Sequence, residues 1–246
     1  MSNDYPEFWN LGPYKYPLYR SKLYSLFQLY AGKASLVLDA GCGEKGGYAI
    51  TIPKNVHGVG LDISRRNVKK SVEKSKNLRL GHLSFLVGDL ENLPFVENAF
   101  DVIICCDVLE HIELPEEAIK EWAFSLKKGG KLLICTTNEF NPAMFLDRVL
   151  PKNISATIIR QFGGPHHYER TRRLNPWSFG ERLNRHGLKL EKLLMFGYPP
   201  FGKPWIYHSS KVKPSIIFYF WMIFDKLTEI GFLKNFKEEM LVIGRL

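Results

Sequence analysis

Residues 36–48, LVLDAGCGEKGGY, place a glycine-rich turn directly after an apolar run. Gly41, Gly43 and Gly46 have the spacing G-x-G-x-x-G, which occurs where a strand turns into a helix and the backbone approaches a nucleotide. Alone this spacing is weak evidence, because glycines serve any tight turn between a strand and a helix. Asp39 precedes the turn, where its carboxylate could face an ammonium group or hold the turn by hydrogen bonds, and would repel a pyrophosphate. The turn predicts a nucleotide-type ligand without saying which one.

Two further carboxylates follow predicted strands in the same half of the chain. Asp62 ends the run VHGVGLD about 20 residues after the turn, a spacing that suits an acceptor for the ribose hydroxyls of several nucleoside cofactors. Asp89 lies in VGDLENLPF, where it and the backbone of Leu90 could bind the amino edge of an adenine. Because three carboxylates around one pocket attract positive charge, these residues together favour a cationic ligand.

The elements that position these residues can be predicted from apolar periodicity. Five apolar runs alternate with helical segments in the first half of the chain, which predicts a parallel sheet covered by helices on both faces. Ligands of such sheets bind at the carboxyl ends of the strands, near the switch point. The predicted strands cover residues 36–40, 56–62, 83–89, 100–107, 131–137, 188–197 and 238–246. The predicted helices cover residues 16–30, 65–78 with Ser64 as its cap, 115–128, and 176–186 with Asn175 as its cap.

The composition is typical of one folded globular protein: 246 residues, 45% of them hydrophobic and 24% charged. The N-terminus has no basic segment followed by an apolar one, so we expect a cytoplasmic protein. The four cysteines, Cys42, Cys105, Cys106 and Cys135, include no C-x-x-C pair, so we expect reduced, mostly buried thiols and no metal site. The formal net charge of +9 is compatible with an anionic substrate, a nucleic acid or an acidic membrane surface and does not choose among them.

Four stretches in a fixed order carry a resemblance to a known family. They are LDAGCGEKGGY, GLDIS, GDLENLPFVENAFDVIICCDVLEHI and LKKGGKLLICTT, and together they cover most of residues 36–137. As an ensemble they resemble the class I S-adenosylmethionine-dependent methyltransferases, in particular the group that includes the ubiquinone and menaquinone methyltransferases. The resemblance implies an α/β fold with a Rossmann-like, doubly wound, mostly parallel seven-stranded sheet, an antiparallel last strand, and helical or loop insertions that form a cap.

The resemblance also implies that the cofactor is S-adenosylmethionine rather than a nicotinamide dinucleotide. The residues implied to bind it are Asp39, Gly41 and Gly43 at the methionine moiety, Asp62 at the ribose, Asp89 and Leu90 at the adenine, and Asp107 and Val108 beside the sulfonium, with Cys42 and Ile63 as further members. One departure is the pair Glu44 and Lys45, where the family often has smaller residues.

Three histidines are candidates for a general base, which methyl transfer needs only when the nucleophile is an undissociated hydroxyl or similar group. His166 and His167 lie in GGPHHYERTRRLNPWSF, a region where related methyltransferases often place a histidine near the acceptor. His111 lies in VLEHI, directly after the fourth predicted strand. The alternative for all three is a structural role in a loop.

The rest of the chain is expected to build the substrate side of a single domain. We expect residues 1–35 to form an N-terminal lid and helix, residues 36–137 the cofactor-binding half, and residues 138–174 and 198–238 two insertions on the substrate side. Residues 216–224 are uninterruptedly apolar but too short to span a bilayer, so we expect a core or dimer-interface segment, an apolar acceptor pocket or a shallow membrane contact. These features favour a small-molecule or lipid-like acceptor and leave the oligomeric state open.

Three other functions stay open as alternatives, one of which is a non-catalytic descendant that keeps the cofactor pocket and acts as a partner protein. The net charge and the arginines around residues 160–185 are also compatible with methylation of RNA or another macromolecule. The literal glycine spacing is also compatible with an NAD-dependent oxidoreductase, although no catalytic set for hydride transfer is evident.

Overall fold

The computed structural model describes residues 18–140, 149, 151, 174–196 and 239–246. In these ranges the apolar runs form one seven-stranded sheet, and the amphipathic segments form helices against it. The strands are β1 (Leu36–Ala40), β2 (His57–Asp62), β3 (Leu83–Val87), β4 (Phe100–Cys106), β5 (Leu126–Thr137), β6 (Lys189–Phe196) and β7 (Glu239–Arg245). The helices are α1 (Leu18–Ala31), α2 (Arg65–Asn77), α3 (Pro115–Ser125) and α4 (Phe179–Asn184).

The strand order across the sheet is β3-β2-β1-β4-β5-β7-β6. The pairs among β1 to β5 are all parallel, whereas β7 pairs antiparallel with both β5 and β6. The predicted Rossmann-like sheet with an antiparallel last strand is thereby confirmed. Because the order reverses between β1 and β4, the switch point lies at the carboxyl ends of these two strands. Most of the predicted cap, residues 138–174 and 198–238, falls outside the described ranges.

The hydrophobic core consists of two layers, one on each face of the sheet. On one face α1 buries Leu23 and Phe27 completely against the central strands. On the other face α3 buries Ile119 and Trp122 completely. The central strands have buried side chains on both faces, which explains their nearly continuous apolar sequences. Burial on both sides fixes the positions of the strand ends that carry the site.

Helix α2 begins and ends where its local sequence predicts. The Ser64 hydroxyl accepts a hydrogen bond from the backbone N–H of Asn67 at 3.3 Å, which is the contact expected of an N-terminal cap. Lys74 and Lys76 lie in the last turn, where positive charge complements the helix dipole. The capping signals alone are enough to define this element.

The boundary between α3 and β5 differs from the prediction. The helix ends at Ser125, and Lys127 and Lys128 lie in β5 rather than in the last helical turn. The reason is a tertiary contact, because Leu126 already pairs with Phe100 at the start of β4. Strand pairing overrides the helical propensity of this segment.

Two smaller boundaries also differ. The third strand ends at Val87, so that Asp89 lies two residues beyond it rather than within it. Asn175 does not cap α4 directly, since its side-chain oxygen accepts a hydrogen bond from Trp177 N at 2.8 Å and the helix begins only at Phe179. Gly187 follows this helix with φ +77°, as expected for a glycine that ends a helix.

Candidate active site

Three acidic residues lie at the carboxyl edge of neighbouring strands around the switch point. Asp39 is in β1, Asp62 is the last residue of β2, and Asp107 directly follows β4. Asp39 aligns with Gly60 of β2 on one side and with Ile104 of β4 on the other. The sheet therefore brings together the carboxylates that the sequence places in three separate segments.

Asp62 ties the glycine turn to the start of α2. Its Oδ2 accepts a hydrogen bond from the backbone N–H of Gly43 at 2.9 Å. Its Oδ1 accepts hydrogen bonds from the backbone N–H of Ser64 at 2.9 Å and from the side-chain amide of Asn67 at 3.1 Å. A carboxylate oxygen can accept two hydrogen bonds, so these contacts leave Oδ2 able to accept a further hydroxyl donor.

Asp39 holds the far end of the same turn. Its Oδ2 accepts a hydrogen bond from the backbone N–H of Ala49 at 2.8 Å, and only 2% of the residue is exposed. The pKa of Asp39 is raised to about 7. Burial is the main cause and the charge of Asp62 adds to it, whereas hydrogen bonds from the backbone of Ala49 and Tyr48 act in the opposite direction. The sequence leaves two roles open for Asp39, to face an ammonium group or to hold the turn. The hydrogen bond from Ala49 corresponds to the second role.

The three glycines of the motif occupy different surroundings. All three have positive φ, which other residues rarely adopt. A Cβ atom on Gly41 would lie 2.5 Å from Val108 Cγ2, and one on Gly46 would lie 2.5 Å from Ile50 Cγ2, so protein fills the space at both positions. A Cβ atom on Gly43 would meet no protein atom within 4 Å. Only Gly43 therefore has open space that a ligand could occupy.

The loop after β4 closes the other side of the switch point. Asp107 has φ +57°, an uncommon value for a residue other than glycine, and its backbone N–H donates to Cys135 O at 2.9 Å. Val108 packs against Gly41, as described above, so the loops after β1 and β4 are in contact. Conformational strain of this kind often accompanies functional sites.

Glu110 anchors this loop to the end of β5. The residue is buried, and its Oε2 accepts a hydrogen bond from the Thr136 hydroxyl at 2.8 Å, while Oε1 accepts a longer one from Thr137 at 3.4 Å. The pKa of Glu110 is raised to about 7, mainly by burial and also by the charge of Asp107, while the hydrogen bonds from both threonines act in the opposite direction. The sequence assigns Glu110 no partner, because the threonines lie 26 and 27 residues further along the chain.

The remaining predicted cofactor residues lie along β2, β3 and the glycine turn. Ile63 is 74% exposed although it directly follows buried Asp62, so an apolar side chain is presented to solvent at the site's edge. Asp89 is exposed and accepts a hydrogen bond from Glu91 N at 2.9 Å, whereas its neighbour Leu90 is buried. Cys42 is buried beneath the turn, and burial raises the pKa of its thiol.

Of the three candidate bases, His111 is the one within the described ranges. It is exposed at the end of a short 3-10 turn, Leu109–His111, and its backbone N–H donates to Val108 O at 2.8 Å. It therefore lies on the same loop as Asp107. His166 and His167 lie outside the described residues.

Two of the arginines in the basic region are described, and both form ion pairs. Arg182 lies 3.0 Å from Glu116 of α3, and Arg185, which directly follows α4, lies 3.2 Å from Glu181 of that helix. These contacts fit a helix-packing role, because each charge faces a carboxylate of the same protein. Glu44, which departs from the family pattern in the glycine turn, also forms an ion pair, with Lys70 of α2.

The sheet order, the glycine turn and the acidic strand ends define a Rossmann-like α/β protein with a ligand site at the carboxyl edge. Comparison with known proteins gives the family.

Residues 38–134, less than half of the chain, match the family model described as "Methyltransferase domain". The chain is 26% identical over 178 residues to the ubiquinone biosynthesis O-methyltransferase of Marinobacter nauticus, covering 70% of this chain and 71% of that protein. It is 30% identical over 171 residues to the corresponding protein of Xanthomonas euvesicatoria, covering 67% of this chain and 66% of the relative.

A solved structure agrees in fold. Geranyl diphosphate C-methyltransferase from Streptomyces coelicolor, crystallised with Mg²⁺, geranyl diphosphate and S-adenosyl-L-homocysteine, superposes with a TM-score of 0.63 at 15% identity, covering 92% of this chain and 79% of that one. The sequence matches and the agreement in fold show that the chain belongs to the class I S-adenosylmethionine-dependent methyltransferases. Its cofactor is S-adenosylmethionine, so the alternative of a nicotinamide-dependent oxidoreductase is not retained.

Proposed function

We propose that this enzyme transfers the methyl group of S-adenosylmethionine to a small-molecule or lipid-like acceptor by in-line displacement. The observation that carries the proposal is the carboxyl edge around the switch point, where three acidic residues surround a glycine turn with one open position at Gly43. An acidic edge suits a cofactor that carries both a sulfonium and an ammonium group. The acceptor class rests on the relatives named above.

The residue assignments are those that the family resemblance implies, and the surroundings of Asp62, Ile63 and Gly43 support them. Asp62 holds the ribose hydroxyls through the acceptor capacity left on Oδ2, and buried Asp39 shapes the turn at the methionine part through its hydrogen bond from the Ala49 N–H. Exposed Ile63 covers one face of the adenine, because an apolar side chain at this position gains from being covered. Asp89 and Leu90 bind the adenine edge. Gly41, Cys42 and Gly43 line the methionine part.

The loop after β4 is assigned to the methyl-transfer end. Asp107 and Val108 lie beside the sulfonium, on the loop that Glu110 anchors to β5. The bound cofactor supplies a methyl group that is already activated, so the protein's part is to align the nucleophile and exclude water. If the acceptor is a hydroxyl, His111, His166 and His167 are the proposed proton acceptors.

The proposed substrate side comprises the insertions 138–174 and 198–238, with residues 1–35 as an N-terminal lid and helix and 36–137 as the cofactor-binding half. Peripheral contact with a membrane through the apolar run 216–224 is part of this proposal, since a lipid-like acceptor would have to be collected there. In the part of the chain that the structure describes, no helix is long and apolar enough to cross a membrane.

The first test is calorimetric binding of S-adenosylmethionine and of its demethylated product to the purified protein. We expect binding by the wild type and a loss of at least about tenfold in affinity for Asp62→Asn, which keeps the shape of the side chain but removes its charge. Glu44→Gln is the matched control, because it removes a carboxylate next to the glycine turn that pairs with Lys70. A folded protein that binds neither compound would contradict the proposal.

The second test identifies the acceptor class. The enzyme is incubated with a methyl-labelled cofactor and with separated lipid, metabolite and RNA fractions. Incorporation into the lipid or metabolite fraction is expected. Incorporation into RNA alone would replace the proposed acceptor by a macromolecule.

A further inference from the structure

Two cysteines that are distant in sequence lie side by side at the carboxyl edge of the sheet. Cys106 ends β4 and Cys135 lies in β5, and the two residues are direct register partners in the parallel pair. Residues opposite each other on neighbouring strands point to the same face, so both thiols enter the same layer of the core. Cys135 is fully buried, whereas Cys106 is partly exposed.

Asp107 brings an oxygen ligand to the same place. Its left-handed backbone conformation follows directly on Cys106, and its N–H donates to Cys135 O at 2.9 Å. The two sulfur atoms and one carboxylate oxygen of Asp107 all lie within 4.8 Å of one another. The contact is thus fixed by the strand register and by a backbone hydrogen bond, and does not depend on a long flexible side chain.

The distances are close to those of a metal site with thiolate ligands. Zn–S bonds of about 2.3 Å in a tetrahedral site place two sulfur atoms about 3.8 Å apart, and a carboxylate oxygen binds zinc at about 2.0–2.2 Å. A movement of about 1 Å at most, within the reach of side-chain rotation, would therefore bring the three atoms into position. Three protein ligands leave the fourth position of the tetrahedron open.

We propose that Cys106, Asp107 and Cys135 form a binding site for a thiophilic divalent cation of the zinc class. On binding, both thiols lose their protons to solvent and the two thiolates and the carboxylate coordinate the cation. The cation enters from the side of Cys106 and Asp107, which are both partly exposed. Sequence motifs gave no sign of this site, because the two cysteines are separated by 28 residues and meet only through strand pairing.

The site shares Asp107 with the proposed methyl-transfer end, so its consequence for activity rests on the proposed function. A cation held by Asp107 competes with the positively charged sulfonium for the same carboxylate. We therefore infer that zinc-class cations inhibit cofactor binding.

The test is a titration of the reduced, metal-free full chain with Co²⁺ and with Cd²⁺, followed by ultraviolet and visible absorption. One equivalent is expected to bind and to produce a thiolate-to-metal charge-transfer band. Cys106→Ala and Cys135→Ala are each expected to abolish the band, and Asp107→Asn to weaken binding by more than about tenfold. Cys105→Ala is the matched control, because Cys105 is the neighbouring thiol on the opposite face of β4 and should leave the band unchanged.

Cys106 is partly exposed, so its replacement tests the site even if a change at buried Cys135 prevents folding. A charge-transfer band that persists in Cys106→Ala, or its absence in the wild type, would overturn the proposal. Calorimetry of S-adenosylmethionine on the same metal-free protein separates the two proposals. Cofactor binding without metal binding removes only the metal site, whereas metal binding without cofactor binding removes only the proposed function.

Discussion

The carboxylate of Asp62 accepts a hydrogen bond from the backbone N–H of Gly43 at 2.9 Å and so joins the end of β2 to the glycine turn after β1. Asp62 consequently has two tasks, which are to hold the turn and to bind the ribose as proposed. A variant must separate these tasks before a loss of cofactor binding can be interpreted.

Asp62→Ala and Asp62→Asn separate them. The alanine variant removes the carboxylate that accepts from the Gly43 and Ser64 N–H groups and from the Asn67 side chain, so we expect it to lower the free energy of unfolding by about 1–3 kcal/mol as well as to lose cofactor affinity. The asparagine variant keeps one oxygen and is expected to lose affinity with a smaller loss of stability. Urea unfolding and calorimetry on both variants check this, and equal affinity in Asp62→Asn and wild type would contradict the ribose assignment.

Gly43→Ala is expected to weaken S-adenosylmethionine binding with a smaller loss of stability than Gly41→Ala. The new methyl group would meet no protein atom, so the change costs the fold only the strain of a positive φ, about 1–2 kcal/mol, while it fills space on the ligand side. Gly41→Ala should be more destabilising, because its methyl group would also clash with Val108. Gly81→Ala, at an open position elsewhere, is the control that should change neither quantity.

The stability of the protein is expected to fall as pH rises from about 4 to about 7 through the contribution of Asp39. Its folded-state pKa is raised to about 7 from the usual 3.8, so in this range the folded protein keeps a proton that the unfolded chain releases. Each pH unit in this window then lowers the free energy of unfolding by up to about 1.4 kcal/mol. The asparagine in Asp39→Asn cannot titrate. The free energy of unfolding of this variant, relative to that of the wild type, should therefore increase as pH rises. A difference that is constant from pH 5 to pH 8 would contradict this.

Thr136→Val is expected to lower the free energy of unfolding by about 1–3 kcal/mol, because it leaves the buried Glu110 without its short hydrogen bond. Thr137→Val is the matched control, since its hydroxyl is less buried and lies 3.4 Å from Glu110. A double-mutant cycle with Glu110→Gln should give a coupling of about 0.5–3 kcal/mol for Thr136 and a smaller one for Thr137. Equal coupling for the two threonines would mean that the loop is not anchored in this way.

The sequence predicts those parts of the fold whose causes are local. Helix α2 is one example, because a serine cap and basic residues near its end define it without help from the rest of the chain. The central strands are another, since burial on both faces produces continuous apolar runs. The boundary of α3 and β5 could not be predicted, because the pairing of Leu126 with Phe100 decides it.

The same distinction applies to the site. Asp62 follows a recognisable strand and lies at the sheet edge where it was predicted. The choice between the two roles of Asp39 depends on a hydrogen bond to Ala49, and the partners of Glu110 and of Cys106 lie on another strand. A single sequence contains no periodic signal for contacts of this kind, because they depend on strand register.

The position of β7 between β5 and β6 also imposes an order on assembly. Among the described strands, β6 pairs only with β7, although β7 follows it in the chain. During synthesis β6 therefore emerges from the ribosome with no partner, whereas β1 to β5 can already pair with each other. A strand that waits unpaired in this way exposes its backbone hydrogen-bonding groups to association with other nascent chains. The yield of folded protein should consequently depend more on how fast the segment between β6 and β7 is translated than on codon changes in the first half of the chain.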